Sequence, residues 1–506
     1  MRMHSNWRRR FDMTRIACLV LMTLLVPRLA HATPVWTDAT QARALIEAVT
    51  IDAAGAQDAV GRLAGILQID KVTATATQVH RPPFAEGPVG KLVSTELQLA
   101  MTQLSIHTGA NNQIRVLRAQ GGARDALILQ SGYSTLRDLA KMAEAQGIDG
   151  LRMVGGVAHL TRPLVIWLGA GLRLEPGDRL QMDARSGAFL LGFGQIEMVG
   201  ADVRATGFGT APDAFRPFVL ITGQGTIFAQ DTTFKGLGMV GADPFGGIVV
   251  SERGLFPPEF PPTLIQNRFD DVGIVGMSGV ADGVIMRNLI RAGRGGGVAL
   301  AAVQGTVVSD NEIVATKGGA GIKIAGGTWV RLTGNLVVGG ARNGISIGGN
   351  SKGIEVSGNA VLANAETGIA TQRATCVLVT ANSVARNGSS GLRLNESGVS
   401  RVQGNALVLN TTAGLNVSAQ SKGGRIEVAD NLLAGNRVGL TGVAIGEVVL
   451  DQNNLTAQMP RLFDGEFSQY LSGYLTGIQQ KSDTSFRIAP RDGRAADAYL
   501  TACNKG

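Results

Sequence analysis

An asparagine that follows a short apolar segment recurs through the second half of this chain at an almost constant spacing. Successive members are 23, 24, 24, 23, 23, 26 and 23 residues apart, at Asn288, Asn311, Asn335, Asn359, Asn382, Asn405, Asn431 and Asn454. A glycine followed by an aliphatic residue keeps the same period, at Gly297, Gly321, Gly344, Gly368, Gly391, Gly414 and Gly439. Two independent markers with one period indicate a repeat architecture.

Within each repeat, apolar and polar residues alternate, as in Gly344-Ile345-Ser346-Ile347. Alternation with period two is typical of short strands that bury one side, and no helical segment interrupts the repeats. The 69 glycines and the 5% aromatic content fit strands joined by tight turns. We therefore predict an all-β fold, a right-handed parallel β-helix of about 13 coils with roughly 22–26 residues each, over residues 150–457.

The recurring asparagine is expected to stack on its equivalent in the next coil and to hydrogen-bond along the axis. Specifically, Asn335, Asn359, Asn382 and Asn405 should form one column, while Ile345 and Val356 should lie inside. A second turn position is predicted where an asparagine follows five residues later, at Asn364, Asn387, Asn410 and Asn436.

The open ends of a solenoid need covers, because unpaired strand edges promote aggregation. An N-terminal helical cap is predicted within Ser134 to Gly147, where Ser134 or Thr135 can cap the helix and Gly147 can end it. A C-terminal cap is predicted from Glu466 to Gln479. Its apolar residues recur at helical spacing, which is typical of packing: Phe467, Tyr470, Leu471, Tyr474, Leu475 and Ile478. The chain then divides into 1–32, 33–149, 150–457 and 458–506.

The first 32 residues have the pattern of a signal peptide: arginines, an apolar run from Ile16 to Val26, and the small-x-small site Ala30-His31-Ala32. Both the Sec and the Tat routes remain open, and the periplasm is the expected location. Removal of this segment leaves 41 basic and 38 acidic residues, so the formal charge falls from +8 to +3. Nucleic acid is therefore not an expected partner, and no later segment is long and apolar enough to span a membrane.

Two cysteines remain after that cleavage, Cys376 and Cys503. They could form a disulfide in an oxidising compartment, but the sequence does not place their Cα atoms within ~7 Å of each other.

Three stretches carry a resemblance to a known family: Ser186 to Phe189, Phe215 to Leu220 with its Arg-Pro-Phe run, and Thr233 to Gly238. Together with Tyr133 to Leu136 and Phe463 to Gly465, they resemble the periplasmic mannuronan C5-epimerases, which modify alginate. The resemblance implies a β-helix whose long groove holds a polyuronate while a proton leaves C5 and another returns on the opposite face. Such chemistry requires a base, an acid and a group that neutralises the carboxylate.

The resemblance also implies that the base comes from an Asp-Pro-His-Asp motif just after a coil glycine. After Gly297 the matching positions are Ala299, Leu300, Ala301 and Ala302, and the position of the neutralising arginine falls at about Gly326. The mature chain contains only His80, His107 and His159, all before the regular coils, so no histidine is expected in the middle of the groove. His159 is expected to be packed or exposed rather than catalytic. The family's catalytic motif is therefore not retained.

Basic residues near the coil glycines are the candidate substrate-binding residues of the groove: Arg287, Arg291, Lys323, Arg373 and Arg393. An acidic glycan laid along one face would meet such charges on successive coils. Lyases of this fold can use Lys or Arg as the base beside a bound cation, for which the candidate ligands are Asp243, Glu252, Asp270, Asp271 and Asp282. Scattered charges on a solenoid are more often solvated, and we predict no metal and no cofactor.

Two functional hypotheses follow. In the first, the protein is a catalytically degenerate scaffold that binds an exported polysaccharide, together with other proteins of an export complex. In the second, it is an active C5-epimerase or lyase that acts on a uronate polymer with relocated residues. The missing histidine favours the first, and a purely structural solenoid fits the Arg-Pro-Phe resemblance less well.

Overall fold

The chain winds into a solenoid with three parallel sheets. The computed structural model describes residues 81–84, 87–108, 113–120, 125–211, 214–252, 257–420, 423–479, 485–488 and Cys503. In every turn the chain passes through sheet 1, sheet 2 and sheet 3, and each strand pairs in parallel with its equivalent one turn later. This arrangement confirms the predicted parallel β-helix. The predicted signal peptide and His80 lie outside the described residues.

The strands of each sheet are short and follow one another along the axis. Sheet 1 contains Asp125–Thr135, Leu164–Ile166, Leu190–Gly192, Val219–Thr222, Gly247–Ser251, Ile274–Ser278, Val298–Ala301, Ile322–Ala325, Ile345–Gly348, Ile369–Gln372, Leu392–Asn395, Ala413–Ser418, Val438–Val443 and Arg461–Gly465. Sheet 2 contains the end of Asp125–Thr135, then Ala170–Leu174, Gln195–Val199, Thr226–Gln230, Thr263–Ile265, Val284–Met286, Val307–Ser309, Arg331–Thr333, Lys352–Ser357, Thr375–Thr380, Ser400–Gln403, Arg425–Ala429 and Glu447–Asp451. Sheet 3 contains Leu151–Val154, Val157–Leu160, Arg179–Asp183, Asp202–Thr206, Thr233–Lys235, Arg268–Asp270, Leu289–Arg291, Glu312–Val314, Leu336–Val338, Ala360–Leu362, Ser383–Ala385, Ala406–Val408 and Leu432–Ala434.

Sheet 3 gives the number of turns. Its first two strands, Leu151–Val154 and Val157–Leu160, are antiparallel to each other, and each later strand is parallel to the one before it. The described part of the helix therefore has about twelve turns, close to the number predicted. Parallel pairing already begins where Leu127 faces Leu164, ahead of residue 150.

Alternate residues of every strand fill the interior. Ile345 and Val356 are fully buried, as predicted, and they belong to one core cluster that runs through all the turns. Each strand contributes only one or two of these residues, so the core is a stack of thin layers rather than a single centre.

An asparagine ladder runs along the corner between sheets 2 and 3. The predicted column is confirmed: Asn335 donates from its backbone N to Oδ1 of Asn359, at 2.9 Å, and Asn359 donates likewise to Asn382 and Asn382 to Asn405. The ladder extends upstream to Asn267 and ends at Asn453 rather than at the predicted Asn454. The last coil is thus one residue shorter than the spacing suggested.

The second predicted turn position forms a second ladder, before sheet 1. Asn364, Asn387, Asn410 and Asn436 are buried and linked in the same way, and the amide of Gln458 ends the series. Both ladders satisfy backbone groups that the tight turns would otherwise leave unpaired inside the protein.

Helices and antiparallel strands cover the ends of the solenoid. The helices are α1 (Leu97–Thr108), α2 (Gln113–Ala119), α3 (Leu136–Ala145), a 3-10 helix (Glu466–Tyr470) and α4 (Leu471–Gln479). Helix α3 is the predicted N-terminal cap: the Thr135 hydroxyl accepts a hydrogen bond from the backbone N of Asp138, and Leu136, Leu139 and Ala143 are buried. Strands Lys91–Glu96 and Ser485–Ile488 pair antiparallel with strands of the first and last turns. This pairing provides hydrogen-bond partners for backbone groups at the two ends of the solenoid.

The 3-10 helix and α4 form the predicted C-terminal cap. Phe467 and Tyr474 are buried against the last turn, and Tyr470 and Leu471 are partly buried. Leu475 was predicted on the packed side but is 41% exposed. Within the described segments, no helix has the length and hydropathy needed to cross a membrane.

Cys376 and Cys503 form a disulfide, with their Cα atoms 5.4 Å apart. The bond joins Cys503 to a residue of a sheet 2 strand, Cys376, which lies 127 residues earlier in the chain. The pairing that the sequence left open is therefore present in the structure.

Candidate functional site

The outer surface of sheet 1 differs between the two halves of the protein. In the first five turns its outward residues are apolar and buried: Ile128, Val165, Leu191, Leu220 and Val249. Helices α1 and α2 cover them with Leu97, Ala100, Met101, Leu104 and Val116. After Val249 this cover ends, and most outward residues of sheet 1 from Ala299 onward are at least partly exposed, with Ala370 as a buried exception.

We call the uncovered outer surface of strands Val298–Ala301 to Val438–Val443 the open face. Its first column, read along the axis by strand register, is Ala299, Lys323, Ser346, Ala370, Arg393, Asn416 and Thr441. Its second column is Ala301, Ala325, Gly348, Gln372, Asn395, Ser418 and Val443. Small residues predominate at the upstream end, and polar residues at the downstream end.

Three of the five predicted basic residues lie on this face. Lys323 and Arg393 are exposed in the first column, three strands apart, and Arg373 is exposed on the turn that follows Gln372. Arg287 and Arg291 do not join them, which corrects the prediction of a single five-residue groove. Arg287 lies on the turn after sheet 2, and Arg291 lies in sheet 3, so both point away from the open face.

The positions that the resemblance aligns with the Asp-Pro-His-Asp motif lie at the upstream end of the open face. Ala299 and Ala301 point outward, Leu300 is buried in the core, and Ala302 is exposed on the following turn. One turn further, Gly326 occupies the equivalent of Ala302. None of these side chains can accept or donate a proton.

The downstream end of the open face contains a depression with a volume of about 400 Å³. It is lined by Gln372, Arg393, Asn395, Asn416, Ser418, Thr441, Gly442 and Val443. Sequence reasoning identified only Arg393 among these. The others carry no signal of their own, because amides and hydroxyls are common throughout the chain.

One carboxyl group beside the face has an altered proton affinity. Glu252 lies on the turn after sheet 1, two turns before Ala302. Burial raises the pKa of Glu252 to about 7, and its Oε1 atom has no hydrogen-bond partner among the described residues. His107, at the end of α1, lies against Gly223 on the preceding turn, while His159 is half-buried in sheet 3.

The raised pKa of Glu252 predicts a pH-dependent stability. The folded protein retains the Glu252 proton between its ordinary pKa of 4.5 and about 7, so this contribution is complete below the ordinary value and is lost as pH rises through 7. Glu252 is partly exposed, so solvent screening makes the effect smaller than the full shift would give. We expect the stability of Glu252→Gln, relative to the parent protein, to rise by roughly 1 kcal/mol between pH 5 and pH 8. Unfolding by denaturant at both pH values measures the effect. The exposed Glu396→Gln should keep the parental pH dependence, and an identical dependence in both variants would contradict the assignment.

The acidic residues considered for a cation site do not form one. Among the described residues, no three His, Cys, Asp or Glu side chains cluster in a way that could hold a metal ion. Asp271 pairs instead with Arg216 at 2.9 Å, and with Arg294 and Lys317. Burial lowers the pKa of Arg294 to about 10, with the charge of Arg216 acting in the same direction. The arginine of the Arg-Pro-Phe run therefore has a structural role.

Comparison with known proteins supports the class that the fold defines. Residues 275–457 match the family model described as periplasmic copper-binding protein (NosD). A mannuronan C5-epimerase of Pseudomonas aeruginosa is 24% identical over 184 residues, which are 34% of this chain and 32% of that enzyme. The aligned stretch thus spans about a third of that relative.

Solved structures give a more complete match. The crystal structure of the periplasmic alginate epimerase AlgG covers 75% of this chain and 95% of its own, with 20% identity and a TM-score of 0.66. A point mutant of AlgG covers 78% and 99%, with 19% identity and a TM-score of 0.67. The protein is therefore a parallel β-helix with the alginate-epimerase fold. The resemblance to mannuronan C5-epimerases that the sequence indicated is confirmed.

The copper in the name of the matched family has no counterpart in the residues of this chain. Copper sites in proteins are built from His, Cys and Met. Residues 275–457 contain no His, their single Cys is in the disulfide, and their two methionines, Met277 and Met286, are buried in separate clusters. The donor set does not fit a copper ion.

Proposed function

We propose that this protein binds an acidic polysaccharide along the open face, in the periplasm, as a scaffold that has lost the C5-epimerase chemistry. The observation that carries the proposal is the composition of the open face. It keeps exposed basic side chains along the axis, while the positions that the resemblance assigns to the catalytic motif are Ala299, Leu300, Ala301 and Ala302.

A polymer laid along sheet 1 would meet Lys323, then Arg373 on the adjoining turn, then Arg393. Strands are separated by ~4.8 Å, so Lys323 and Arg393 lie roughly 14 Å apart. Exposed ion pairs contribute only about 0.2 to 1 kcal/mol each, and the affinity would come from several contacts along one chain. The similarity to proteins named as alginate epimerases supports a polysaccharide as the partner. Other proteins of an export assembly would bind elsewhere on the solenoid.

The test is a double substitution with a matched control. Lys323→Ala with Arg393→Ala should weaken binding of an acidic exopolysaccharide about fivefold, because two exposed ion pairs are lost. Binding of the parent protein should also weaken as salt shortens the Debye length below ~8 Å. Titration calorimetry at two salt concentrations measures both effects.

Arg287→Ala with Arg291→Ala is the control, since it removes the same charge from other parts of the surface. It should leave the affinity close to that of the parent protein, and both double variants should melt at the parental temperature. Equal loss of affinity in the two double variants would indicate a general charge effect and would refute the open face as the binding site.

The proposed function also predicts that the protein lacks epimerase activity. Purified protein should produce no guluronate from polymannuronate in proton NMR spectra, because the open face carries no base at the expected position.

A lyase or epimerase with relocated residues is the alternative, and the raised pKa of Glu252 favours it. Formation of guluronate, or of an unsaturated sugar detected by ultraviolet absorbance, would support that alternative if the Glu252→Gln variant no longer formed the product.

A further inference from the structure

The basic residues of the open face are widely spaced along the axis. In the first column, Ser346 and Ala370 separate Lys323 from Arg393, and Asn416 and Thr441 follow Arg393. A polyuronate carries a carboxylate on every sugar. Arg373 could reach one intermediate carboxylate from the adjoining turn. A carboxylate beside Ser346, and those downstream of Arg393, would lie beside neutral side chains and would lose hydration without gaining an ion pair.

The depression downstream of Arg393 has the chemistry of a neutral-sugar site. Within the described residues, the side chains of Gln372, Asn416 and Thr441 make no hydrogen bond to the protein, and Asn395 donates to the Ser418 hydroxyl at 3.0 Å. The ladder asparagines use their amides inside the solenoid, whereas these amides face outward. Free amides and hydroxyls can pair with sugar hydroxyls, which both donate and accept.

Acidic residues also border this depression. Glu396 is exposed on the turn after Asn395, and Asp464 follows Thr441 in the first column. Asp464 has a cationic neighbour in Arg461, 3.7 Å away, and Glu396 has no ion pair among the described residues. Additional carboxylates on a ligand would be repelled here, because like charges placed opposite each other disfavour binding.

We infer that the open face is built for a heteropolysaccharide whose acid groups are separated by neutral sugars, and that the depression holds a neutral sugar unit. This inference rests on the proposed function and specifies its ligand class. Arg393 would pair with the acid group, and the amides downstream would bind the hydroxyls of the next sugar.

The experiment compares oligosaccharides of equal length. One set comes from deacylated gellan, whose repeat carries a single glucuronate among neutral sugars, and the other set is oligomannuronate. At physiological salt the gellan fragments should bind about tenfold more tightly, a difference that a few neutral hydrogen bonds can supply. Oligomannuronate binding as tightly as gellan fragments, or more tightly, would overturn the inference.

A substitution in the depression tests whether this site causes the preference for gellan fragments over oligomannuronate. Gln372→Leu should weaken binding of gellan fragments about fivefold and leave oligomannuronate binding unchanged. Gln181→Leu is the matched control, because Gln181 lies in sheet 3 on another side of the solenoid. The inference would be overturned if both variants lost the same affinity for gellan fragments, or if neither variant lost any.

The same data separate this inference from the proposed function. If Lys323→Ala with Arg393→Ala weakens both ligands while oligomannuronate binds as well as gellan, the face binds acidic glycans and only the ligand class is wrong. If that double variant changes neither affinity, the proposed function itself fails.

Discussion

Asn382→Leu is expected to lower the free energy of unfolding by about 4 kcal/mol, a large effect for one side chain. The Asn382 amide donates to the Val356 carbonyl and to Oδ1 of Asn405, both at 2.9 Å. Its own Oδ1 accepts from the backbone N and the side-chain amide of Asn359, also at 2.9 Å. Leucine would leave the Asn359 N–H and the Val356 carbonyl without these partners in a site that excludes water, and each costs about 1 to 3 kcal/mol.

The matched control is Asn416→Leu, which removes an amide from the outside of the same solenoid. Asn416 makes no hydrogen bond within the described residues, so its replacement should change stability by less than about 0.5 kcal/mol. Unfolding by denaturant, followed by circular dichroism, measures both variants. Equal midpoints for the two would show that the ladder does not contribute to stability.

The repeat made most of this fold predictable. Two markers with one period locate the turns, and the alternation of residues such as Ile345 and Ser346 assigns the inside and the outside of each strand. The sequence predicted Asn454 as the last asparagine of the ladder, whereas the structure has Asn453 there, and the cause is simple. Asn453 and Asn454 are adjacent, and the spacing favoured the second, whereas the last coil is shorter and places the first in the column.

Helices α1 and α2 were not predicted, although the sequence contains an indirect signal of them. Strands such as Val219–Thr222 and Gly247–Ser251 are apolar on both sides, whereas Ile345–Gly348 alternates. A strand that is apolar on both sides requires a second layer over its outer surface. The covering residues lie more than a hundred positions away from these strands, so the sequence alone does not identify which segment supplies them.

Three of the five basic residues predicted for the site lie on the open face, and strand register explains why the other two do not. Lys323, Arg373 and Arg393 were placed by counting from a coil glycine, which lies just before sheet 1. Arg287 and Arg291 precede the first such glycine, Gly297, so the same count does not apply and they lie on other sides. The depression required the structure, because its residues come from four successive turns.

The disulfide gives the largest expected effect on stability. Replacing both Cys376 and Cys503 by serine should lower the free energy of unfolding by about 5 kcal/mol. The bond closes a loop of 127 residues, which contains seven asparagines of the two ladders and most of the depression. Closing so long a loop removes conformations mainly from the unfolded chain, and that reduction in entropy stabilises the folded state.

Denaturant unfolding under oxidising and reducing conditions tests this expectation. Reduction should shift the midpoint of the parent protein to that of the double serine variant, and it should not affect the variant itself. Glycan binding should survive in the variant at low temperature, because Lys323 and Arg393 lie on sheet 1 while the bond is attached to sheet 2. A midpoint that does not respond to reduction would mean that the loop is already restricted in the unfolded chain. A variant that folds with the parental midpoint but loses glycan binding would instead show that the disulfide positions the open face.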